Sequence, residues 1–261
     1  MPSWIRYKVI YFQVNENLPR VLFMRKMKGS GNYLKNQVRK NLTKAVTCLV
    51  LFFLLFSTLS LQLIFTLKFT IFVAIGFAVS LLPLAGFYYF LHKYRIYGGG
   101  WAGEKQVIKL LDSKLSDDYI LLNDLYLRGG GGDIDHVVLS TNGVFVLETK
   151  NWNGAITCNG DLWERSGKQN FKVSPSRQVK RNASTIKHII DSSSVFRSYS
   201  IDVEGIVVFT NTHAILRLNN PTVAIVKLPQ LPYQITTYRS SSNYSQEQLE
   251  TIGKEILKQK R

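Results

Sequence analysis

The sequence contains few residues of the kinds that build disulfide frameworks or zinc sites. Its two cysteines are Cys48, in an apolar run, and Cys158, in a polar one, and this pattern excludes both a disulfide scaffold and a thiolate metal centre. The four histidines show no HExxH or paired-ligand spacing, so we interpret each as structural. The glycines at 129–132 are not followed by Gly-Lys-Ser/Thr, which excludes a P-loop and favours a flexible loop at the mouth of a site.

Acidic residues are scarce as well. The chain has 17 Asp and Glu against 33 Lys and Arg, a formal net charge of +16. Residues 1–44 carry ten basic residues and one acid, Glu16, and such a block favours anionic lipid or nucleic acid as a partner. Residues 92–261 carry 22 basic and 16 acidic residues. That milder excess is compatible with a phosphate-bearing substrate, and equally with solubility alone.

Two long stretches contain no charged residue. Residues 45–67 and 69–91 are separated by Lys68, and each exceeds the about 20 apolar residues that cross a bilayer. A spanning segment must satisfy its own backbone, so we predict a hairpin of two transmembrane helices over residues 45–92. The alternative is a pair of buried helices in a soluble protein. A signal peptide is excluded because the apolar stretch starts too late and runs too long.

The basic residues around this hairpin indicate its orientation. They flank its two outer ends at Lys35, Arg39, Lys40, Lys44, Lys93 and Arg95. The positive-inside bias therefore predicts both termini in the cytoplasm, at the inner membrane of a bacterium. Residues 1–44 are predicted to be a basic cytoplasmic segment, with residues 24–40 lying against anionic headgroups.

The glycine-rich run "YGGGWAGEK" predicts a linker at residues 93–102, followed by a soluble domain at 103–261. Helical spacing of apolar residues predicts an amphipathic helix at 103–115. "IDHVVLS" and "VFVLETK" form a predicted hairpin around an Asn-Gly turn. Further predictions are a hairpin from "GAITCNG" and "DLWERSG", and strands from "GIVVFTN" and "TVAIVKL". The resulting order of helices and strands predicts a mixed sheet with helices on both faces.

Two helix starts in this domain are marked by capping residues. Ser174 followed by Pro175 is a typical N-cap and first helical position. Ser245 and Gln248 form a capping box at the start of a C-terminal helix.

Three charges interrupt the apolar strands of the first hairpin. Asp135 shares a strand face with Val137 and Leu139 because side chains alternate along a strand. Pairing through the turn brings Asp135 beside Glu148 and Lys150. Two carboxylates suit Mg²⁺, and an ammonium can position water or offset charge on phosphorus, which is what phosphodiester hydrolysis needs. The alternative is a solvated strand end with an ordinary ion pair.

The segments "GEKQVIKLL", "DIDHVVLSTNGVFVLETKNWNGAI", the later Trp163 and "SPSRQ" together resemble the NERD (nuclease-related) domain, which is similar to PD-(D/E)xK, restriction-endonuclease-like nucleases. The resemblance covers residues 100–215. It implies an α/β fold, a restriction-endonuclease-like mixed sheet flanked by helices, here preceded by the transmembrane hairpin. It also implies a membrane-anchored nuclease that uses Mg²⁺ or Mn²⁺ and acts on nucleic acid, with DNA as the expected substrate.

The resemblance assigns roles to individual residues. Asp135 and Glu148 are the implied metal ligands, and Lys150 is the lysine of the E-x-K motif. Glu104 matches the acidic residue on the family's first helix, and Gln178 matches a glutamine that orients the site in many relatives. The chain departs from the family pattern in two places. No Pro precedes the first Asp, and Asn182 stands four residues after Gln178, where some exonuclease relatives have Tyr.

Other residues have weaker assignments. Asp133 is predicted to cap the loop more than to assist catalysis, and His136 to be structural. Trp152 and Trp163 are predicted to pack in the core or rim, with base stacking as the alternative. The basic residues on the Gln178 helix could bind nucleic-acid phosphates or form an ordinary solvated face; they are Arg177, Lys180 and Arg181.

Three functional hypotheses follow from these patterns. The first is the anchored nuclease. The second is a non-catalytic module of the same fold that binds nucleic acid or a protein at the membrane. The third makes the basic N-terminus and the hairpin a lipid-organising anchor. The complete set of five polar residues favours the first, because a site that has lost its activity is free to lose these charges.

Overall fold

A computed structural model of the chain describes residues 25–27, 33–66, 71–127, 133–166, 174–194, 196, 201–240 and 243–259. Over these ranges the chain is mixed α/β, which confirms the predicted fold class. The helices are α1 (Tyr33–Thr66), α2 (Ile71–Lys114), α3 (Pro175–Ser192), α4 (Leu231–Thr236) and α5 (Gln246–Lys258). The strands are β1 (Arg25–Met27), β2 (Ile120–Tyr126), β3 (Asp133–Ser140), β4 (Gly143–Lys150), β5 (Gly154–Asn159), β6 (Leu162–Arg165), β7 (Val203–Phe209), β8 (Ala214–Asn219) and β9 (Ala224–Lys227).

Helices α1 and α2 are long and apolar enough to cross a membrane, with mean hydropathy of 2.4 and 2.1 in their most apolar stretches. Only 0% and 11% of those stretches are buried within the described chain. Phe65 and Phe72 are each 79% exposed, unlike the aromatic residues of a soluble core. The two helices are therefore candidate membrane spans. Lys68, predicted at their junction, lies outside the described residues.

The linker predicted at residues 93–102 is not present, because α2 continues as a helix from Ile71 to Lys114 through the glycines at 98–100. Glycine costs a helix roughly 1 kcal/mol relative to alanine, and close packing offsets that cost here. Asn151 Nδ2 donates a 2.8 Å hydrogen bond to the Gly99 carbonyl. A Cβ on Gly100 would lie 3.4 Å from a methyl carbon of Leu34. The predicted helix at 103–115 is thus the end of α2.

This packing predicts opposite effects for two alanine substitutions. In Gly103→Ala the new Cβ would lie 2.8 Å from Thr210 Oγ1 and 3.2 Å from Asn151 Cβ, so we expect a loss of stability of about 1–3 kcal/mol. In Gly98→Ala the new Cβ meets nothing within 4 Å, and we expect a gain of about 0.5–1 kcal/mol. Chemical unfolding of the full chain in detergent micelles, followed by tryptophan fluorescence, measures both. Equal effects would contradict the close approach of α2 to the sheet.

The main sheet has six strands in the order β1-β2-β3-β4-β7-β9. The pairs β2–β3 and β3–β4 are antiparallel, whereas β1 is parallel to β2, and β7 is parallel to both β4 and β9. A smaller sheet has the order β6-β5-β8. The predicted hairpins β3–β4 and β5–β6 and the predicted strands β7 and β9 are confirmed. Strand β7 lies between β4 and β9, and the residues of its second half are buried on both faces.

Two strands differ from the sequence-based interpretation. Arg25–Met27, predicted to lie against lipid headgroups, is instead an edge strand paired in parallel with β2. The Arg25 guanidinium forms a 2.5 Å ion pair with Glu250 of α5, so its charge is directed to the protein. Strand β8 was not predicted. It pairs in parallel with β5 and leaves Ile215 60% exposed.

The main sheet separates two apolar cores. One core lies between the sheet and helices α3 and α5; it includes Val137, Leu139, Val144, Val146, Val179, Ile186, Leu249 and Ile252. The other lies under α2 and α4; it includes Val107, Leu111, Val138, Phe145, Leu147 and Leu231. Because every second strand residue faces the same core, burial on both faces fixes the register of β3 against β4.

The predicted helix caps and the structural histidine are confirmed. Ser174 Oγ accepts the Arg177 backbone N–H, and Ser245 and Gln248 form a reciprocal capping box. His136 is 1% exposed, and its Nδ1 lies 2.7 Å from Asn123 Oδ1. Burial lowers the pKa of His136 to about 3, so the ring is neutral near pH 7 and belongs to the core.

Candidate active site

The turn between β3 and β4 determines which charges face each other. The strands pair from Ser140 opposite Gly143 to His136 opposite Leu147. One further step in this antiparallel register sets Asp135 opposite Glu148. The turn is held by Asn142, whose Nδ2 donates 2.9 Å hydrogen bonds to the carbonyl oxygens of Ile235 and Tyr238. The register thus brings together two carboxylates that are 13 residues apart in sequence.

A cavity of about 350 Å³ lies at this end of the sheet. All five residues of the predicted catalytic set line it: Glu104, Asp135, Glu148, Lys150 and Gln178. They come from four elements, α2, β3, β4 and α3. Three further acidic or aromatic residues of the domain also line it, namely Asp124, Tyr126 and Asp133. Helices α1 and α2 contribute Tyr33, Leu34 and Gly100 to the same wall.

Lys150 connects the two sides of the cavity. Its Nζ donates a 2.5 Å hydrogen bond to Glu148 Oε1 and a 3.3 Å hydrogen bond to Gln178 Oε1. The side chain is 17% exposed, whereas that of Glu148 is 2% exposed. A buried ion pair of this kind is weak evidence for stability, because desolvation of the two charges opposes their attraction. Its position in a cavity makes it a functional candidate.

One oxygen of Glu148 has no partner among the described residues. Oε1 accepts the hydrogen bond from Lys150, while Oε2 is buried and has no hydrogen-bond partner in the part of the chain that the structure describes. Burial raises the pKa of Glu148 above its ordinary value, and Lys150, followed by Arg181, opposes that rise. An unsatisfied buried carboxylate oxygen is costly, so this atom is suited to a ligand other than the described residues.

The pKa values of two neighbouring acids, Asp135 and Glu104, are also raised. Burial raises the pKa of Asp135 well above its ordinary value, and the charges of Glu148 and Glu104 add to the rise. Against this, Asp135 Oδ2 accepts a 2.7 Å hydrogen bond from the Thr149 backbone N–H. Burial, together with the charges of Asp124, Glu148 and Asp133, raises the pKa of Glu104 to about 8. Glu104 lies beyond the apolar part of α2, within the domain.

The carboxylates fit a hard divalent cation. Asp135 and the free oxygen of Glu148 are oxygen donors in a cavity where carboxylates raise each other's pKa, and a cation would relieve that repulsion. Mg²⁺ binds through one or two carboxylates and keeps several waters, so two donors are sufficient. Within the ranges that the structure describes, no three His, Cys, Asp or Glu side chains are grouped as ligands of one ion.

The three basic residues predicted to bind nucleic acid are exposed on α3 but have different electrostatic partners. Lys180 Nζ donates a 2.6 Å hydrogen bond to Asp161, and Arg177 acts on the same carboxylate. Arg181 instead acts on Glu148. Arg181 is therefore the member of the three that is electrostatically coupled to the cavity. Phosphate binding by this face stays a prediction.

The aromatic and amide residues near the site have structural contacts. Trp163 is 4% exposed, stacks on Phe209 and donates a 2.8 Å hydrogen bond from Nε1 to Ser176. Trp152 packs edge-on against Phe209. Core packing is thus confirmed for Trp163 over base stacking. Asn182 is 2% exposed and donates to the Asp133 carbonyl, so it joins α3 to β3 and does not line the cavity.

Sequence reasoning missed Asp124 and Tyr126 on β2, and Tyr33 on α1. Asp124 interrupts the apolar run "YILLNDLYL" in the same way as Asp135 interrupts its own strand, and this pattern would have identified it. Its φ of +51° is in the left-handed region, which Asp tolerates better than most residues. Asp133 lines the cavity and is exposed. The glycines at 129–132, predicted at the mouth, lie outside the described residues.

Comparison with known proteins identifies a family for the domain. Residues 99–210 match the family described as nuclease-related domain (NERD), which confirms the resemblance. An uncharacterised protein of Bacillus anthracis is 42% identical over 60 residues, which are 22% of this chain and 28% of that protein. The matched segment thus spans about a quarter of the relative's length. No solved structure matches the chain.

Proposed function

Since residues 99–210 are a nuclease-related domain, we propose that the protein is a membrane-anchored, divalent-metal-dependent nuclease that hydrolyses phosphodiester bonds in DNA. The observation that carries the proposal is the common cavity of Glu104, Asp135, Glu148, Lys150 and Gln178. A solvated strand end would not need an acid that is 2% exposed with a free buried oxygen. The arrangement suits a site that takes a cation and a phosphate together.

Each residue has a defined role in this proposal. Asp135 and Glu148 would hold Mg²⁺ or Mn²⁺, which supplies Lewis acidity toward a phosphoryl oxygen. Lys150 presents its ammonium beside Glu148, where it can position the attacking water and offset charge that develops on the phosphate. Gln178 accepts a hydrogen bond from Lys150 and so orients it. Glu104 is a further carboxylate in the wall of the cavity and would raise the affinity of the cavity for cations.

The membrane anchor is the hairpin of α1 and α2. Both ends of a two-helix hairpin lie on one side of the bilayer, and the basic residues that flank it favour the cytoplasmic side. DNA is accessible there. The exposed basic residues of α3, chiefly Arg181 beside Glu148, would bind the phosphates that flank the one being cut.

The full-length chain in detergent micelles is expected to cleave DNA with Mg²⁺ or Mn²⁺ and to be inactive with EDTA. The assay uses single-stranded and duplex DNA, with RNA of the same sequence as the comparison, and follows products on denaturing gels. The full chain is needed because a fragment from residue 98 onward lacks β1 and the cavity residue Tyr33.

The outcomes separate the hypotheses. Binding without turnover across a range of divalent metals would contradict the nuclease and favour a non-catalytic binding module. Activity on RNA alone would contradict the choice of DNA. Metal-dependent cleavage would also exclude a role as a lipid-organising anchor alone.

A further inference from the structure

The start of the membrane hairpin is part of the cavity wall. Tyr33 and Leu34, in the first turn of α1, line the same cavity as Glu104 and Glu148. Gly100 of α2 leaves room for Leu34, because a Cβ at Gly100 would lie 3.4 Å from a methyl carbon of Leu34. The site is therefore built jointly by the nuclease-related domain and the helix that leads into the membrane.

The cavity carries two aromatic rings in addition to its acids. Tyr33 is 52% exposed, and Tyr126, on β2, is 43% exposed. Both line the cavity. Exposed aromatic rings beside a phosphate-binding site commonly stack on bases, because every base presents a π face. Trp163, by contrast, is buried against Phe209 and cannot do this.

The depth and size of the cavity restrict what can reach the acids. At about 350 Å³, it is near the lower end of the roughly 300–1,000 Å³ of cavities that enclose drug-sized molecules. Glu148 is 2% exposed at its wall, so a scissile phosphate must enter the cavity to reach it. A base can stack on an aromatic ring in this wall only when it has left the base pair and the helical stack, which costs energy in a duplex that an unpaired strand does not spend.

We propose that the preferred substrate is a nucleic-acid strand that is unpaired at the cut, and that Tyr33 of the membrane helix stacks on one of its bases. This inference rests on the proposed function and adds the substrate class. Tyr33 is then a specificity-determining residue that contacts the substrate. Tyr126 is placed to flank the same base or its neighbour.

The test measures binding separately from cleavage. The full chain carrying Glu148→Gln, in micelles with Mg²⁺, is titrated against a fluorescein-labelled DNA oligonucleotide, either single-stranded or as a blunt duplex. We expect the single strand to bind at least about tenfold more tightly. Tyr33→Ala should weaken single-strand binding about tenfold, whereas Tyr33→Phe should keep it, because loss of one base stack is worth about this factor.

Tyr233→Ala is the matched control. Tyr233 is 72% exposed on α4 and does not line the cavity, so binding should be unchanged. Equal affinity for single strand and duplex, unchanged binding in Tyr33→Ala, or binding to neither probe would overturn the inference. The first of these comparisons needs no Tyr33 variant and remains decisive if Tyr33→Ala fails to fold.

Cleavage by the wild-type chain separates this inference from the nuclease itself. Equal rates on duplex interiors and single strands would overturn the inference and leave the nuclease intact. Tyr33-dependent binding of single strands without any cleavage would support the recognition of single strands by Tyr33 and contradict the nuclease.

Discussion

Glu148→Gln is expected to lower Mg²⁺-dependent cleavage by at least about 10²–10³-fold, the scale on which preorganised electrostatic groups act. Gln has nearly the same shape and can still accept the hydrogen bond from Lys150 Nζ, which is 2.5 Å from Glu148 Oε1. The substitution removes the negative charge and leaves a neutral amide at the position of the free oxygen Oε2. The proposed divalent cation would lose its most buried ligand, while the fold should lose little stability.

Lys150→Met should cause a loss of similar size for a different reason. It leaves Glu148 buried without its ion-pair partner, and it removes the donor that contacts Gln178. Rates are measured under single-turnover conditions, and folding by circular dichroism and melting. The matched control is Glu255→Gln, because Glu255 also pairs with a lysine, Lys258, but lies on the surface of α5. Cleavage at the wild-type rate in Glu148→Gln would remove the basis of the proposed mechanism.

The second large expected effect is a dependence of the stability of the fold on pH. The pKa of Glu104 is about 8 in the folded chain, against an ordinary value of 4.5. Between these values the unfolded chain has released a proton that the folded chain retains. The part of the fold's stability that is linked to Glu104 is therefore complete below pH 4.5 and is lost as the pH rises from 4.5 through 8. We expect the melting temperature without metal to fall by roughly 5–10 °C between pH 5 and pH 8.

Glu104→Gln should reduce this dependence on pH by the share of Glu104, whereas Asp135 and Glu148, whose pKa values are also raised, keep the remainder. Mg²⁺ should raise the melting temperature of the wild-type chain at pH 8, since a cation offsets the repulsion among Glu104, Asp135 and Glu148. Both effects are measured by scanning fluorimetry of the full chain in micelles at several pH values. The control is Glu247→Gln at the start of α5, which should leave the pH profile unchanged. A wild-type profile that rises from pH 5 to pH 8 would contradict the raised pKa.

The core of the candidate site could be predicted because its determinants are local. Asp135, Glu148 and Lys150 lie on two strands joined by a two-residue turn, and alternation fixes the face of each side chain. The turn signal Asn-Gly predicts the register from neighbouring residues alone, and the hydrogen bonds of Asn142 to the carbonyls of Ile235 and Tyr238 add distant support. Glu104 and Gln178 are different, because nothing local says that two helices bring their polar residues to the same strand end. They were found through the family resemblance alone.

The sequence-based predictions that were wrong or incomplete concern features that depend on long-range packing. Three successive glycines at 98–100 favour a linker by propensity, but the helix is kept by contacts with Leu34 and Asn151, each more than 50 residues away. Strand β1 has three residues and pairs with a segment about 95 residues further along the chain. Such a short strand has no periodicity of its own to detect. Tyr33 was missed for the same reason, since its place beside the acids depends on how α1 packs against α2.

With the proposed membrane anchor in place, the unbroken course of α2 would set the distance between the cavity and the lipid. The 13 residues from Leu91 to Glu104 rise about 20 Å along the axis of this helix. A continuous helix of this length has no flexible joint, so the cavity would stay at one distance from the membrane surface and at one tilt. A nucleic acid farther into the cytoplasm would be out of reach, and the proposed nuclease would cut only targets that are first brought to the membrane surface.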